Sequence, residues 1–123
     1  MQNKIVCFIA FSLTAMLAAW GGPKQDVEAG RIAFEKRCTG CHALDREKEG
    51  PRLAGVVGRK AGAVASFPYS DALKKSSVVW TEAALDKWLT DTETVVPDAD
   101  MTFRLDNAAE RAAIIAYLKA TAK

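Results

Sequence analysis

The chain is poor in histidine and sulfur, with one imidazole, three cysteines and three methionines in 123 residues. A structural zinc site wants four Cys or His ligands. Only Cys7, Cys38, Cys41 and His42 are on offer, and Cys7 sits alone in an apolar N-terminal stretch, so zinc is disfavoured. Charge imbalance is also lacking, with 17 Lys and Arg against 15 Asp and Glu. That balance argues against nucleic acid as a partner. No stretch alternates apolar and polar residues convincingly, so strands are not required. Internal repeats, low-complexity tracts and interdomain linkers are missing, and the length suits one domain.

The one long apolar run lies at the amino terminus. Lys4 precedes an apolar stretch from Ile5 to Ala19, broken by Ser12 and Thr14 and followed by Gly21 and Gly22. This is the three-part pattern of a secretory signal. Cleavage is expected after Gly21, with Ala19 as the alternative, and no lipobox precedes Cys7. An uncleaved anchor is the competing reading, because the run falls slightly short of the roughly 17 residues that a spanning helix needs. Removal of residues 1–21 leaves a single domain over 22–123 with a net charge of +1.

What is present in full is the run Cys38, Thr39, Gly40, Cys41 and His42. C-x-x-C-H is the attachment signal of c-type haem: each thiol adds to a porphyrin vinyl group and the imidazole then faces the iron. A redox dithiol is the alternative reading of C-x-x-C. It leaves the adjacent histidine without a role, and no strand leads into the motif.

The coarse structure is helical. Val27, Gly30, Ala33, Phe34 and Cys38 recur at three- and four-residue steps, which predicts a helix from Asp26 to Arg37 running into the motif. Thr81 is the expected N-cap of a helix that turns Leu85, Trp88 and Leu89 inward. Asn107 and Glu110 form a candidate capping box for a terminal helix carrying Ile114, Ile115, Tyr117 and Leu118. A shorter helical turn begins near Ser70. Between the motif and Thr81 come Gly50, Pro51, Gly55, Gly58, Gly62 and Pro68, the punctuation of long loops. Such loops need something to pack against, and a large apolar macrocycle supplies it. Without that group, poor folding is expected, because too little apolar area offsets the chain entropy.

Haem iron holding one imidazole has its opposite face to fill. Met1 and Met16 fall in the signal segment, which leaves Met101 as the one remaining thioether, in an unpatterned stretch from Val95 to Phe103. Methionine is more often a soft core plug than a ligand. In a haem protein with no other thioether, Met101 is the expected second ligand.

Across the mature sequence the chain resembles a class I cytochrome c, the carrier type of mitochondria and the bacterial periplasm. The matching segments include Gly30-x-x-x-Phe34, Cys38 to His42, Gly50-Pro51-x-Leu53-x-Gly55, Gly58 to Gly62, Phe67-x-Tyr69-Ser70-Asp71-Ala72, Trp80, Pro97-x-x-x-Met101-x-Phe103 and Ile115 to Lys119. The resemblance implies an all-α fold of three main helices plus a short one, with long loops wrapped around one covalently bound haem c. It implies attachment outside the cytoplasm, in agreement with the export signal. It further implies that Pro51 offers its carbonyl to His42, that Arg59, Tyr69, Trp80 and Ser70 hold a haem propionate, and that Trp88, Leu73 and Phe103 line the haem pocket. Gly30 and Phe34 are expected to meet Ile114 and Tyr117 where the terminal helices cross.

Three positions depart from the family pattern. Trp88 replaces a usual tyrosine, Leu73 a usual asparagine and Ala99 a usual threonine, which removes polar groups from the methionine side. A drier pocket disfavours the charged oxidised centre, so a relatively high reduction potential is expected. The stretch from Glu82 to Glu110 holds eight acids against Lys87 and Arg104, a net −6. Such a run is often only a solvated face. Read against the family, Thr92, Glu93, Thr94, Asp98 and Asp100 break the lysine ring around the haem edge, which points to a partner that is neutral or partly basic there.

The function expected from these residues is a soluble, monomeric, periplasmic one-electron carrier. Its donor and acceptor dock transiently, and no stable membrane insertion follows cleavage. A haem enzyme or sensor is the competing class, but no distal acid-base residue is available for that chemistry.

Overall fold

Two helices cross at a point where a side chain is missing. The computed structural model describes residues 23–122, so the expected signal segment and cleavage site lie outside the described residues. Helix α1 (Pro23–Arg37) and helix α5 (Ala108–Ala120) make the most extensive helix–helix contact. At their crossing a methyl group on Gly30 would lie 1.9 Å from the carbonyl oxygen of Ala113 and 2.8 Å from Cβ of Tyr117. Only glycine permits that approach. Beside it the Phe34 and Tyr117 rings meet at 5.3 Å, tilted by 53°. Ile114, one residue beyond Ala113, is 0 % exposed.

Three further helices lie between them in the sequence, α2 (Asp71–Lys75), α3 (Glu82–Thr90) and α4 (Thr92–Val95), of which α3 packs on α4 and α5. Ser70 caps α2, its Oγ accepting from Leu73 N at 3.3 Å, and Thr81 caps α3, its Oγ1 accepting from Ala84 N at 3.1 Å. Leu85, Trp88 and Leu89 of α3 are buried as their spacing predicts. The single-turn α4 was not expected. The Asp91 carboxylate makes it by accepting from Glu93 N at 3.1 Å, directly after α3 ends.

The terminal helix corrects a detail. Asn107 Oδ1 accepts from Glu110 N at 3.0 Å, but the reciprocal half of the capping box is not formed. The Glu110 carboxylate instead takes Arg37 Nε at 2.8 Å and Nη2 at 3.2 Å, which ties the start of α5 to the end of α1. Arg111 is a second anchor that the sequence did not reveal. It is 9 % exposed, with Nε donating to Asp86 Oδ1 at 2.8 Å and Nη1 to the carbonyls of Leu105 and Asp106. Buried cations persist when paired and hydrogen-bonded in this way.

Among the described residues there are no strands, only the isolated bridges Lys60↔Val79 and Asp91↔Arg104. The first closes the long loop: Gly58 N and Ala61 N donate to the carbonyls of Trp80 and Val78, each at 2.8 Å. The helices and this closed loop surround one large cavity.

Candidate functional site

The cavity measures about 770 Å³ and opens to solvent, within the range of small-molecule sites. Cys38, Cys41 and His42 line it from the turn after α1, and Met101 lines it from the segment after α4. Residues 63 positions apart in sequence thus share one space. Leu85, Trp88, Leu89, Ile114 and Leu118 supply apolar walls from α3 and α5.

His42 is 9 % exposed, and its Nδ1 lies 2.8 Å from the carbonyl oxygen of Pro51. Nδ1–H donates there, which leaves the Nε2 lone pair for a metal. Burial pushes the imidazole pKa down, opposed by the Pro51 hydrogen bond and reinforced by the Lys48 charge. A lowered pKa favours the neutral ring, the form that binds iron. The turn is set by backbone bonds, Cys41 N and His42 N both donating to Cys38 O at 3.1 and 2.9 Å. Cys41 is exposed, while burial drives the half-buried Cys38 thiol up to about 11.

The remaining expected residues fall around the same cavity. Arg59, Tyr69, Ser70, Trp80, Leu73, Trp88 and Phe103 all line it, as does Pro51. Arg59 donates only to carbonyls, from Nη1 to Arg52 O at 2.8 Å and from Nη2 to Ala54 O, and no carboxylate pairs with it among the described residues. Burial pushes its pKa down. A partly buried guanidinium without an acidic partner suits an acidic group on a ligand. Tyr69 accepts from Val64 N at 3.2 Å and keeps its own hydrogen to donate. The Trp80 and Trp88 rings meet at 5.0 Å, tilted by 50°. Two thiols, a neutral imidazole, a thioether and an unpaired guanidinium around an apolar space fit a covalently held haem with carboxylate arms.

The acidic stretch is partly corrected. Thr92, expected on the surface beside the cavity, is 1 % exposed; its Oγ1 accepts from Phe103 N at 3.1 Å. Four of the eight acids are paired, Glu82 with Lys119, Asp86 with Arg111, Asp91 with Arg104 and Glu110 with Arg37. Glu93, Asp98 and Asp100, in the segment that leads to Met101, are exposed and in no ion pair among the described residues. Glu93 Oε1 accepts from Asp98 N at 3.0 Å and steadies a residue at φ 61°. Arg37, Glu47, Lys48 and Glu49 also line the cavity, and Arg37 is engaged by Glu110.

The cytochrome c family model matches residues 27–122. The chain belongs to the cytochrome c family. Cytochrome c type-1 of Ascaris suum is 41 % identical, over 82 % of this chain and 93 % of that protein. Cytochrome c2 of Rhodopseudomonas palustris is 38 % identical, over 96 % and 97 %. Among solved structures, cytochrome cH from Methylobacterium extorquens superposes with a TM-score of 0.73 at 42 % identity, covering 77 % of this chain and 98 % of that one. The small all-α cytochrome c fold follows, with one covalently bound haem c and its iron. This cytochrome is an electron-transfer protein and not an enzyme.

Proposed function

We propose that this cytochrome is a soluble, monomeric, periplasmic one-electron carrier. In this reading Cys38 and Cys41 would hold the haem through thioethers, and His42 and Met101 would bind its iron. The observation that carries it is the sharing of one cavity by His42, its Nδ1 already engaged at 2.8 Å by Pro51, and Met101. Bound haem c supplies a metal centre that gains and loses one electron. Pro51 holds the imidazole tautomer and raises its donor strength. With both His42 and Met101 bound to the iron, no position would be left there for a substrate. Leu73 and Trp88, which line the cavity, exclude water there, while Arg59, Tyr69, Ser70 and Trp80 would neutralise and bind a propionate. Residues 1–21 act as a cleaved export signal ahead of a single domain over 22–123.

The donor and acceptor dock over the cavity mouth through a small, transient interface, as redox encounters do. Exposed Glu93, Asp98 and Asp100, of which Asp100 lines the cavity, make the segment that carries Met101 negative, which favours a partner neutral or basic there. Stopped-flow oxidation and reduction by cationic and anionic one-electron complexes tests this. Rates with the cationic complex should fall as salt rises; a fall with the anionic complex instead would contradict the charge reading. The mass of the native protein should equal residues 22–123 plus one haem, and retention of residues 1–21 would contradict the export reading. Carbon monoxide should not bind the reduced protein; ready binding would mark an open position and overturn the carrier assignment.

A further inference from the structure

Gly50 touches the imidazole of His42 more closely than any side chain permits. A methyl group placed on Gly50 would lie 2.2 Å from Cε1, 2.6 Å from Nδ1 and 2.7 Å from Nε2 of His42. Ordinary contact between carbon atoms is about 3.5–4.0 Å. Gly50 has no positive φ, so left-handed backbone is not what selects glycine here. Nor is Gly50 free to retreat: its N–H donates to Cys41 O at 2.8 Å, and its own carbonyl accepts from Lys48 N at 3.0 Å. The next residue supplies the carbonyl that holds Nδ1.

We propose that Gly50 is a positioning residue for the axial imidazole: its bare Cα sets where the His42 ring lies, and so sets the ring's bond to Pro51 and its donor strength toward iron. This rests on the reading of His42 as a ligand. A side chain at residue 50 displaces either the ring or the Pro51 carbonyl. Both weaken the Nδ1–H bond that enriches the ring in electron density. A poorer donor stabilises oxidised iron less, so the reduction potential rises.

Three glycines separate this role from a structural one. Gly40 lies inside the attachment motif, yet a methyl there meets nothing within 4 Å and its φ is not positive. Gly30 is as crowded as Gly50, but against Ala113 and Tyr117 rather than His42. In the haem-loaded protein, Gly50→Ala should raise the potential and shift the His42 ring-proton resonances. Gly30→Ala should lower thermal stability and leave the potential unchanged, and Gly40→Ala should change neither. An unchanged potential and unchanged His42 resonances in Gly50→Ala overturn the proposal, as does an equal potential change in Gly30→Ala. Should Gly50→Ala not mature, the unmodified reduced protein decides: a strong nuclear Overhauser effect between His42 Hε1 and the Gly50 Hα protons supports the contact, and its absence refutes it. Absence of a low-spin histidine signature in the unmodified protein removes the ligand reading itself. A normal signature with silent glycine variants removes only the role of Gly50.

Discussion

The two sides of the cavity are held by different means. On the histidine side, residues 38–51 are fixed by main-chain groups: Cys38 O takes two N–H groups, Cys41 O takes Gly50 N, and Pro51 O takes the imidazole. On the methionine side, residues 91–103 add side-chain bonds to main-chain ones such as Thr92 N to Phe103 O and Val96 N to Thr92 O: Asp91 to Arg104 and Glu93 N, Thr92 to Phe103 N, and Glu93 to Asp98 N. A frame of backbone bonds survives most substitutions, whereas one of side-chain bonds changes with the sequence. The methionine side is therefore the one whose frame depends more on the sequence, and it carries the exposed acids Glu93, Asp98 and Asp100.

The largest effect is expected from breaking the histidine side at its proposed thioether links. Replacing Cys38 and Cys41 together with Ser should abolish the haem adduct in a denaturing mass spectrum; a surviving adduct would mean that other groups hold it. Next, Ile114→Ala should destabilise the haem-loaded protein by about 2–5 kcal/mol in denaturant titration, since the side chain is 0 % exposed where the terminal helices meet the cavity. A loss near zero would show that this wall does not bear on the fold. On the methionine side, Thr92→Val leaves the Phe103 N–H without its 3.1 Å partner. About 1–3 kcal/mol should be lost, with weaker Met101 ligation as the spectroscopic companion. The dry pocket is probed by Trp88→Tyr and Leu73→Asn, which should each lower the reduction potential; unchanged potentials would remove the polarity argument. The smallest effect belongs to the tie between the terminal helices. Arg37 holds the Glu110 carboxyl below its ordinary value. The stabilisation is present above the ordinary carboxylate pKa and lost as pH falls through the lowered one. Glu110→Gln should therefore flatten the acid limb of a thermal-stability profile.

The sequence made the histidine side plain because its donors are contiguous, and the helices showed through their apolar spacing and caps. Met101 was reached by elimination, since no other thioether remains outside the N-terminal apolar segment. Other features depend on partners distant in the chain and leave no local pattern. Glu110 has the spacing of a capping box, yet its carboxylate is taken by Arg37, 73 residues away. Arg111 reads as a surface cation until Asp86 and two carbonyls enclose it. Thr92 follows Asp91 in an acidic stretch and reads as exposed, but the turn of α4 carries it inward onto Phe103. Gly50 was visible as loop punctuation, and only the folded chain puts it against His42.

The near-infrared absorption of the oxidised protein, recorded for the unmodified chain and for Met101→Ala, tests the central claim most directly. A methionine-sulfur-to-iron band should be present in the first and lost in the second. Its absence from the unmodified protein, or its survival in Met101→Ala, would contradict a centre closed by His42 and Met101.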